Sequence, residues 1–302
     1  MRVTQSMLSN NMLRNLNTSY SKMSKLQEQI ESGSVLTRPS DDPVAAVKGM
    51  GYRKQLDSIE QYERNTSTAN TWLDTTDEAL AQVSDALIRV KELVVQASSD
   101  TVTQSDRQAI AKELEQLREQ ARDVANTQVG GNYIFSGTQT NQPLYLTGDT
   151  TQNPALTTSG VNGSFKLDVY DGISMQVNTN GSEVFKDIDQ FMSELLNVMN
   201  SGATGSEIGK SLGDSFGNGK GLNQVTNDAL TMRSQVGAKQ NRLELMQNRL
   251  SQQAINITKR LSENEDTDYS EAITQLTTAE SIHQASLSVG AKIIQQTLVD
   301  FI

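Results

Sequence analysis

The sequence predicts a mainly α protein: long antiparallel helices forming a coiled-coil rod built from both chain ends, with a small inserted β domain. Three observations lead there. Over 302 residues apolar side chains make up only 35% and aromatic ones 5%, lean for a globule, where about 45–50% apolar is usual, but enough for helices that bury a narrow stripe. Apolar residues then recur at heptad spacing from Tyr52 to Ala97 with no Pro or Gly between them. Finally, apolar residues alternate with period two near residues 165–177, inside a stretch rich in Thr, Asn and Gly.

The elements follow in order. Val3, Met7, Leu13, Leu16, Tyr20, Met23 and Ile30 have helical spacing, and from Leu13 the steps of three and four are those of a coiled-coil seam. The run stops at Gly33, and the loop SGSVLTRPSDDP closes on a helix start. Asp42 is placed to cap it, and Pro43 suits the first turn, where its missing N–H costs nothing. The next seam passes through Tyr52, Ile59, Tyr62, Ala69, Leu73, Leu80, Val83, Leu87, Val90 and Val94 to Ala97, with Gln55, Thr66 and Thr76 as its polar slots. From Pro43 to Ser99 such a helix is roughly 85 Å long.

After the polar break SSDTVTQSD, a third helix places Ile110, Leu114, Leu117, Ala121 and Val124 on one side and ends near Gly130–Gly131. The short connection makes the two helices antiparallel neighbours. Between Thr138 and Gly181, Phe165, Leu167 and Val169 alternate ahead of Asp171–Gly172, then Ile173, Met175 and Val177. A three-residue loop with Gly172 left-handed pairs Val169 with Ile173 and Leu167 with Met175, which puts all six on one face.

Helix returns over Val184–Met199, with Phe185, Ile188, Phe191, Leu195 and Val198 aligned. A Gly-rich linker at 202–221 leads to a helix starting near Leu222, with Leu243, Met246, Leu250, Ile257 and Leu261 on its seam. The polar run SENEDTDYSE breaks it before a last helix bearing Ile273, Leu276, His283, Leu287, Ala291, Ile294, Leu298 and Phe301. The expected division is terminal coiled-coil segments at 1–41 and 273–302, a discontinuous helical domain at 42–137 and 185–272, and a β-rich insert at 138–184.

Composition excludes most chemistries. A net charge of −10 argues against nucleic acid, which demands a basic surface. No run approaches the roughly 18 apolar residues of a membrane span, and MRVTQSMLSNNML lacks a secretory apolar core, which taken alone reads as cytosolic. Cysteine is absent and His283 is the single histidine, so thiolate chemistry and any site needing two His or Cys ligands are out. On the apolar stripe of the last helix, His283 reads as a packing residue.

GSEIGKS at 205–211 has three residues between its glycines where a phosphate loop needs four. The acidic residues Glu263, Glu265, Asp266, Asp268 and Glu271 lack calcium-loop spacing and read as a solvated turn. Asp149, Asp168, Asp171 and Glu183 are the carboxylates an enzyme reading has to use. No catalytic, cofactor or metal site is expected. What remains is an assembly interface on the terminal seams: Val3, Met7, Leu13, Leu16, Tyr20, Met23 and Ile30 at one end, and Leu287, Ala291, Ile294, Leu298 and Phe301 at the other. Ile294→Asp or Leu298→Asp is expected to block assembly and leave the central helices folded.

Several motifs in sequence order resemble the bacterial flagellin superfamily. They are TTDEALAQVSDALIRVKELVVQASSDT at 75–101, the loop ending RPSDDP at 38–43, VGAKQNRLELMQNRL at 236–250 and SENEDTDYSEA at 262–272. RPSDDP and NYIFSGTQT at 132–140 are similar to the superfamily's hook–filament junction branch, and the ending QQTLVDFI lacks the usual flagellin terminus; a filament flagellin is the alternative. The resemblance implies a structural part of the extracellular flagellum, exported unfolded through the type III channel without a cleaved signal peptide, which reverses the cytosolic reading. It implies a ring or tube of copies, hook-associated protein 1 on the hook side, flagellin on the filament side and a cytosolic export chaperone. It also implies end helices that are disordered until they build an inner tube.

Overall fold

The computed structural model describes residues 5–146, 152–153, 156 and 158–299. The chain is mainly helical. Five long helices account for most of it: α1 (Gln5–Ser32), α2 (Pro43–Ala97) and α3 (Gln104–Ala125), then, after α4 (Thr158–Val161), α5 (Ser182–Asn200), and, after α6 (Gly205–Gly209), α7 (Leu222–Glu265). A sixth, α8 (Tyr269–Val299), ends the described chain. Among the described residues, three two-stranded antiparallel hairpins interrupt them: β1 (Gln128–Val129) with β2 (Asn132–Tyr133), β3 (Lys166–Tyr170) with β4 (Ile173–Gln176), and β5 (Ser215–Phe216) with β6 (Gly219–Lys220). The chain divides into two units, residues 1–58 with 252–302, and residues 59–251.

In the unit spanning 59–251 the α2 seam is buried from Ile59 onward, except for half-buried Tyr62. The predicted slots before it, half-buried Tyr52 and exposed Gln55, fall in the other unit, so the heptad pattern overruns the part of α2 that this core covers. Thr66 and Thr76 occupy the seam at 1% exposure because each hydroxyl donates to the carbonyl one turn back, of Tyr62 and Trp72, which satisfies the polar group inside the core. Trp72, Ala79, Ala86 and Leu93 add a second buried stripe at seven-residue spacing; α2 thus covers more than one neighbour.

α3 returns antiparallel to α2, as the short connection predicts, with Arg89 ion-paired to Glu113 at 2.8 Å and Arg107 donating to the Ala97 carbonyl at 3.1 Å. A capping box of Thr103 and Asp106 fixes its start. α5 packs on α3 through Phe185, Ile188, Phe191 and Leu195. The two helices are tied by Arg118 and Arg122, both on Asp189.

Three local expectations are corrected. The chain does not simply leave α3 at Gly130–Gly131; both glycines have positive φ and form the turn of the β1–β2 hairpin. The 202–221 stretch is not a bare linker: Thr204 and Glu207 make a capping box on α6, and the phosphate-loop mimic lies on that helix and the 3₁₀ turn Lys210–Leu212.

In β3–β4, Leu167 pairs with Met175 and Gly172 is left-handed as expected, but Tyr170, not Val169, faces Ile173. The extra residue is Val169, a bulge inside β3 and not in the turn. By absorbing one residue it keeps Val169 and Met175 buried on the same side. Leu167 and Ile173 are only half-buried, and Phe165 is exposed along one edge while its ring stays 5.9 Å from that of Trp72.

The hairpin is clamped to the long helices. The Arg249 guanidinium lies 4.3 Å from the Tyr170 ring centroid, the Tyr62 ring stacks at 6.4 Å, and Asn65 donates to the Asp168 carbonyl at 2.8 Å. Arg249→Ala is expected to cost about 1 kcal/mol, the value of a partly exposed cation–π contact plus lost stem packing. A fall in the chemical-denaturation midpoint with unchanged slope checks it.

Candidate assembly interface

In the unit of residues 1–58 with 252–302, the two loops that carried the resemblance are held to each other. Val35 N–H donates to the Glu265 carbonyl at 2.7 Å, Thr267 N–H donates to the Gly33 carbonyl at 2.9 Å, and Ser34 bridges Asp266. Glu265 is 8% exposed and paired with Arg53, while a Cβ on Gly49 would fall on its carboxylate. Gly49 therefore leaves room for Glu265 to reach Arg53 across the face of α2.

Asp42 caps α2 as the sequence requires, accepting from Val44 N–H and Ala45 N–H at 2.9 and 3.0 Å. Its neighbour Asp41 accepts from Lys25 Nζ, the Thr37 hydroxyl and Arg38 N–H. The Lys25 hydrogen bond, with the others, holds the Asp41 carboxyl below the usual range. A depressed pKa contributes order above the ordinary carboxylate range and loses it as pH falls through the lowered value. Faster hydrogen exchange at Arg38 in mild acid, absent in Asp41→Asn, is the expected signature.

α1 and α8 form an antiparallel pair. Gly33 faces Tyr269, Tyr20 faces His283 with ring centroids 6.3 Å apart, and Met12 reaches Gly290. On α1 the covered side is Met12, Leu16, Ser19, Met23, Leu26 and Ile30. On α8 it is Ala272, Leu276, Ala279, His283, Ser286 and Gly290. Both sets step by three and four. Four of these six α8 residues are small, which lets the helices approach closely; at Gly290 the Met12 thioether end occupies the place of a side chain.

The seam sorts the predicted interface residues. Leu16, Met23 and Ile30 are half-buried against α8 within the same chain. Met7, Leu13, Tyr20 and Leu287 are 57%, 57%, 64% and 49% exposed, and Ala291 is exposed too. Val3 and Phe301 lie outside the described residues, as do the side chains of Ile294 and Leu298. Sequence reasoning missed the small residues of the α8 seam, because Ala, Ser and Gly at heptad slots give no apolar signal. It also missed Ile282 and Val289, each 56% exposed.

Heptad geometry gives the pair two flanks. One presents Leu13, Tyr20 and Gln27 beside Ile273, Glu280 and Leu287, all exposed. The other presents Asn15 and Lys22 beside Gln275 and Ile282. It forms a groove of about 430 Å³ that Thr18, Thr274 and Thr278 help to line. Four large apolar side chains left open on one flank of two helices form a surface that association would bury.

Charge is unevenly distributed. Residues 1–58 and 252–302 hold 11 Lys and Arg against 12 Asp and Glu, whereas residues 59–251 hold 15 against 24, so the interface unit is close to neutral. The carboxylates that an enzyme reading has to use do not converge among the described residues. Asp168 and Asp171 sit exposed on the β3–β4 hairpin, Glu183 is in the first turn of α5, and Asp149 lies outside the described residues. Among the described residues no three His, Cys, Asp or Glu stand where they could hold a metal ion.

Comparison with known proteins agrees with this architecture. The bacterial flagellin N-terminal helical region matches residues 3–140, and the bacterial flagellin C-terminal helical region matches residues 220–302. Flagellar hook-associated protein 3 of Escherichia coli (strain K12) is 26% identical over 299 residues, covering 94% of this chain and 93% of its own length. A flagellin of Bacillus subtilis (strain 168) is 26% identical over 307 residues, covering 98% and 97%. In three dimensions, the crystal structure of Bacillus cereus FlgL superposes with a TM-score of 0.58 at 21% identity, over 70% of this chain and 99% of that one.

Proposed function

This chain belongs to the bacterial flagellin family, and from that premise we propose that it is the structural subunit that joins hook to filament in a bacterial flagellum. The observation behind the junction reading is the match to hook-associated protein 3 of Escherichia coli over 94% of this chain and 93% of that one. The segment NYIFSGTQT, which resembles the junction branch, supports it as a built feature of the fold. Ile134, Phe135 and Ser136 are completely buried, and the Ser136 hydroxyl donates to the Gln142 carbonyl at 2.8 Å. Gly137, at φ 66°, turns the chain beneath the carbonyls of Gly160 and Val161, where no other residue fits.

In this reading the chain is a structural part and not an enzyme. Its terminal segments, 1–41 and 273–302, make the contacts of a ring or tube of copies. Residues 42–137 and 185–272 form the helical body, and 138–184 the insert. Hook-associated protein 1 stands on the hook side and flagellin on the filament side. An export chaperone covers the terminal helices in the cytosol, and export proceeds without a cleaved signal peptide. Met7, Leu13, Tyr20, Leu287 and Ala291 are the exposed, described members of the predicted assembly surface.

Complementation tests the assignment. In bacteria that lack their own junction protein and shed flagellin into the medium, this chain is expected to restore attached filaments. Long filaments built from this chain alone overturn the junction reading in favour of a filament flagellin, the role of the Bacillus subtilis relative.

A further inference from the structure

We infer that neighbouring copies dock flank to groove, the apolar flank of one α1–α8 pair entering the groove of the next, with Glu280 of one copy against Lys22 of the other. The inference rests on the junction reading, since it names a second copy as the occupant of the same interface.

The two flanks differ in shape and in charge. The apolar flank, formed by Leu13, Tyr20, Gln27, Ile273, Glu280 and Leu287, has one charged member, Glu280. The groove flank has Lys22 among Asn15, Gln275 and Ile282 as its one charge. Both charges are exposed, and no ion pair forms at either among the described residues. Contact between two identical flanks sets Glu280 against Glu280 or Lys22 against Lys22. Contact between unlike flanks sets Glu280 against Lys22 and apolar side chains against a groove. The second arrangement is head-to-tail, the kind that closes a ring or runs on as a helix.

The levels also agree. With Tyr20 opposite His283 and Met12 opposite Gly290, the antiparallel register sets Glu280 level with Lys22 and Met23. At about 1.5 Å per residue the two charges differ by no more than one residue's rise along the axis, so copies standing side by side at nearly one height bring them together.

The chain has no cysteine, so disulfide trapping reads this contact directly. Lys22→Cys and Glu280→Cys are produced together, as separate full-length chains, in bacteria lacking their own junction protein, and isolated flagella are oxidised. A disulfide-linked species of twice 33.1 kDa, present with the two variants together and not with either alone, is the expected result. Restored filaments without that species overturn the docking while leaving the junction reading intact. A wild-type chain that restores no filaments overturns the junction reading itself. As a second readout, Lys22→Glu or Glu280→Lys lowers the number of attached filaments roughly fivefold, and the double reversal restores it. A double reversal no better than either single change overturns the pairing.

Discussion

Replacing Leu13 and Leu287 together by Asp abolishes incorporation into flagella while the isolated chain folds as before. Both side chains are open in the single chain, at 57% and 49% exposure, so the carboxylates remain hydrated there, and surface changes of this kind shift stability by less than about 0.5 kcal/mol. In an assembly that covers the flank, each carboxylate loses its water without gaining a partner, at a cost of several kcal/mol repeated at every copy. Attached filaments are counted by microscopy in a complemented strain, and circular dichroism with thermal melting monitors the fold. Normal filament numbers contradict the interface. Loss of helical signal in the free protein places the two residues in the chain's own core instead.

The largest stability effect is expected at Asp189. Arg118 donates to it from Nε at 2.8 Å and Nη2 at 3.0 Å, and Arg122 donates from Nε at 2.7 Å. All three side chains are about 15% exposed or less. Asp189→Ala removes the carboxylate on which two sheltered guanidinium groups converge, and breaking such a cluster costs about 3–5 kcal/mol. For a unit of this size that lowers the melting temperature by roughly 10 °C. Asp189→Asn, which keeps the acceptor oxygen, falls between. A melting temperature unchanged in Asp189→Ala is incompatible with this cluster organising the α3–α5 pair.

The helices were legible because burying one stripe on another requires heptad spacing, and the α2 seam from Ile59 to Ala97 meets that requirement almost without exception. The β3–β4 pairing was legible in part. Alternation correctly paired Leu167 with Met175, but a bulge at Val169 and a longer turn preserve the same alternation, and only backbone geometry separates them. The assembly surface was the least legible. A heptad written in large apolar residues identifies Leu16 and Met23, whereas Ala272, Ala279 and Gly290 do the same work through absence of bulk. The apolar list therefore mixed residues that α8 already covers with residues that remain open, such as Leu13 and Tyr20. Sorting them requires knowing that the two chain ends meet.

The uneven charge has a colloidal consequence. Free copies carry nearly all of their excess negative charge on residues 59–251 and almost none on the unit with the open flanks. Like-charged bodies keep one another at a distance over about a Debye length, 8 Å at physiological salt. Association therefore faces a weak general repulsion with no counterpart at the flanks themselves. Such a chain stays dispersed when dilute and adheres where a template already holds copies side by side. Raising the ionic strength is then expected to promote untimely clustering and not to suppress it.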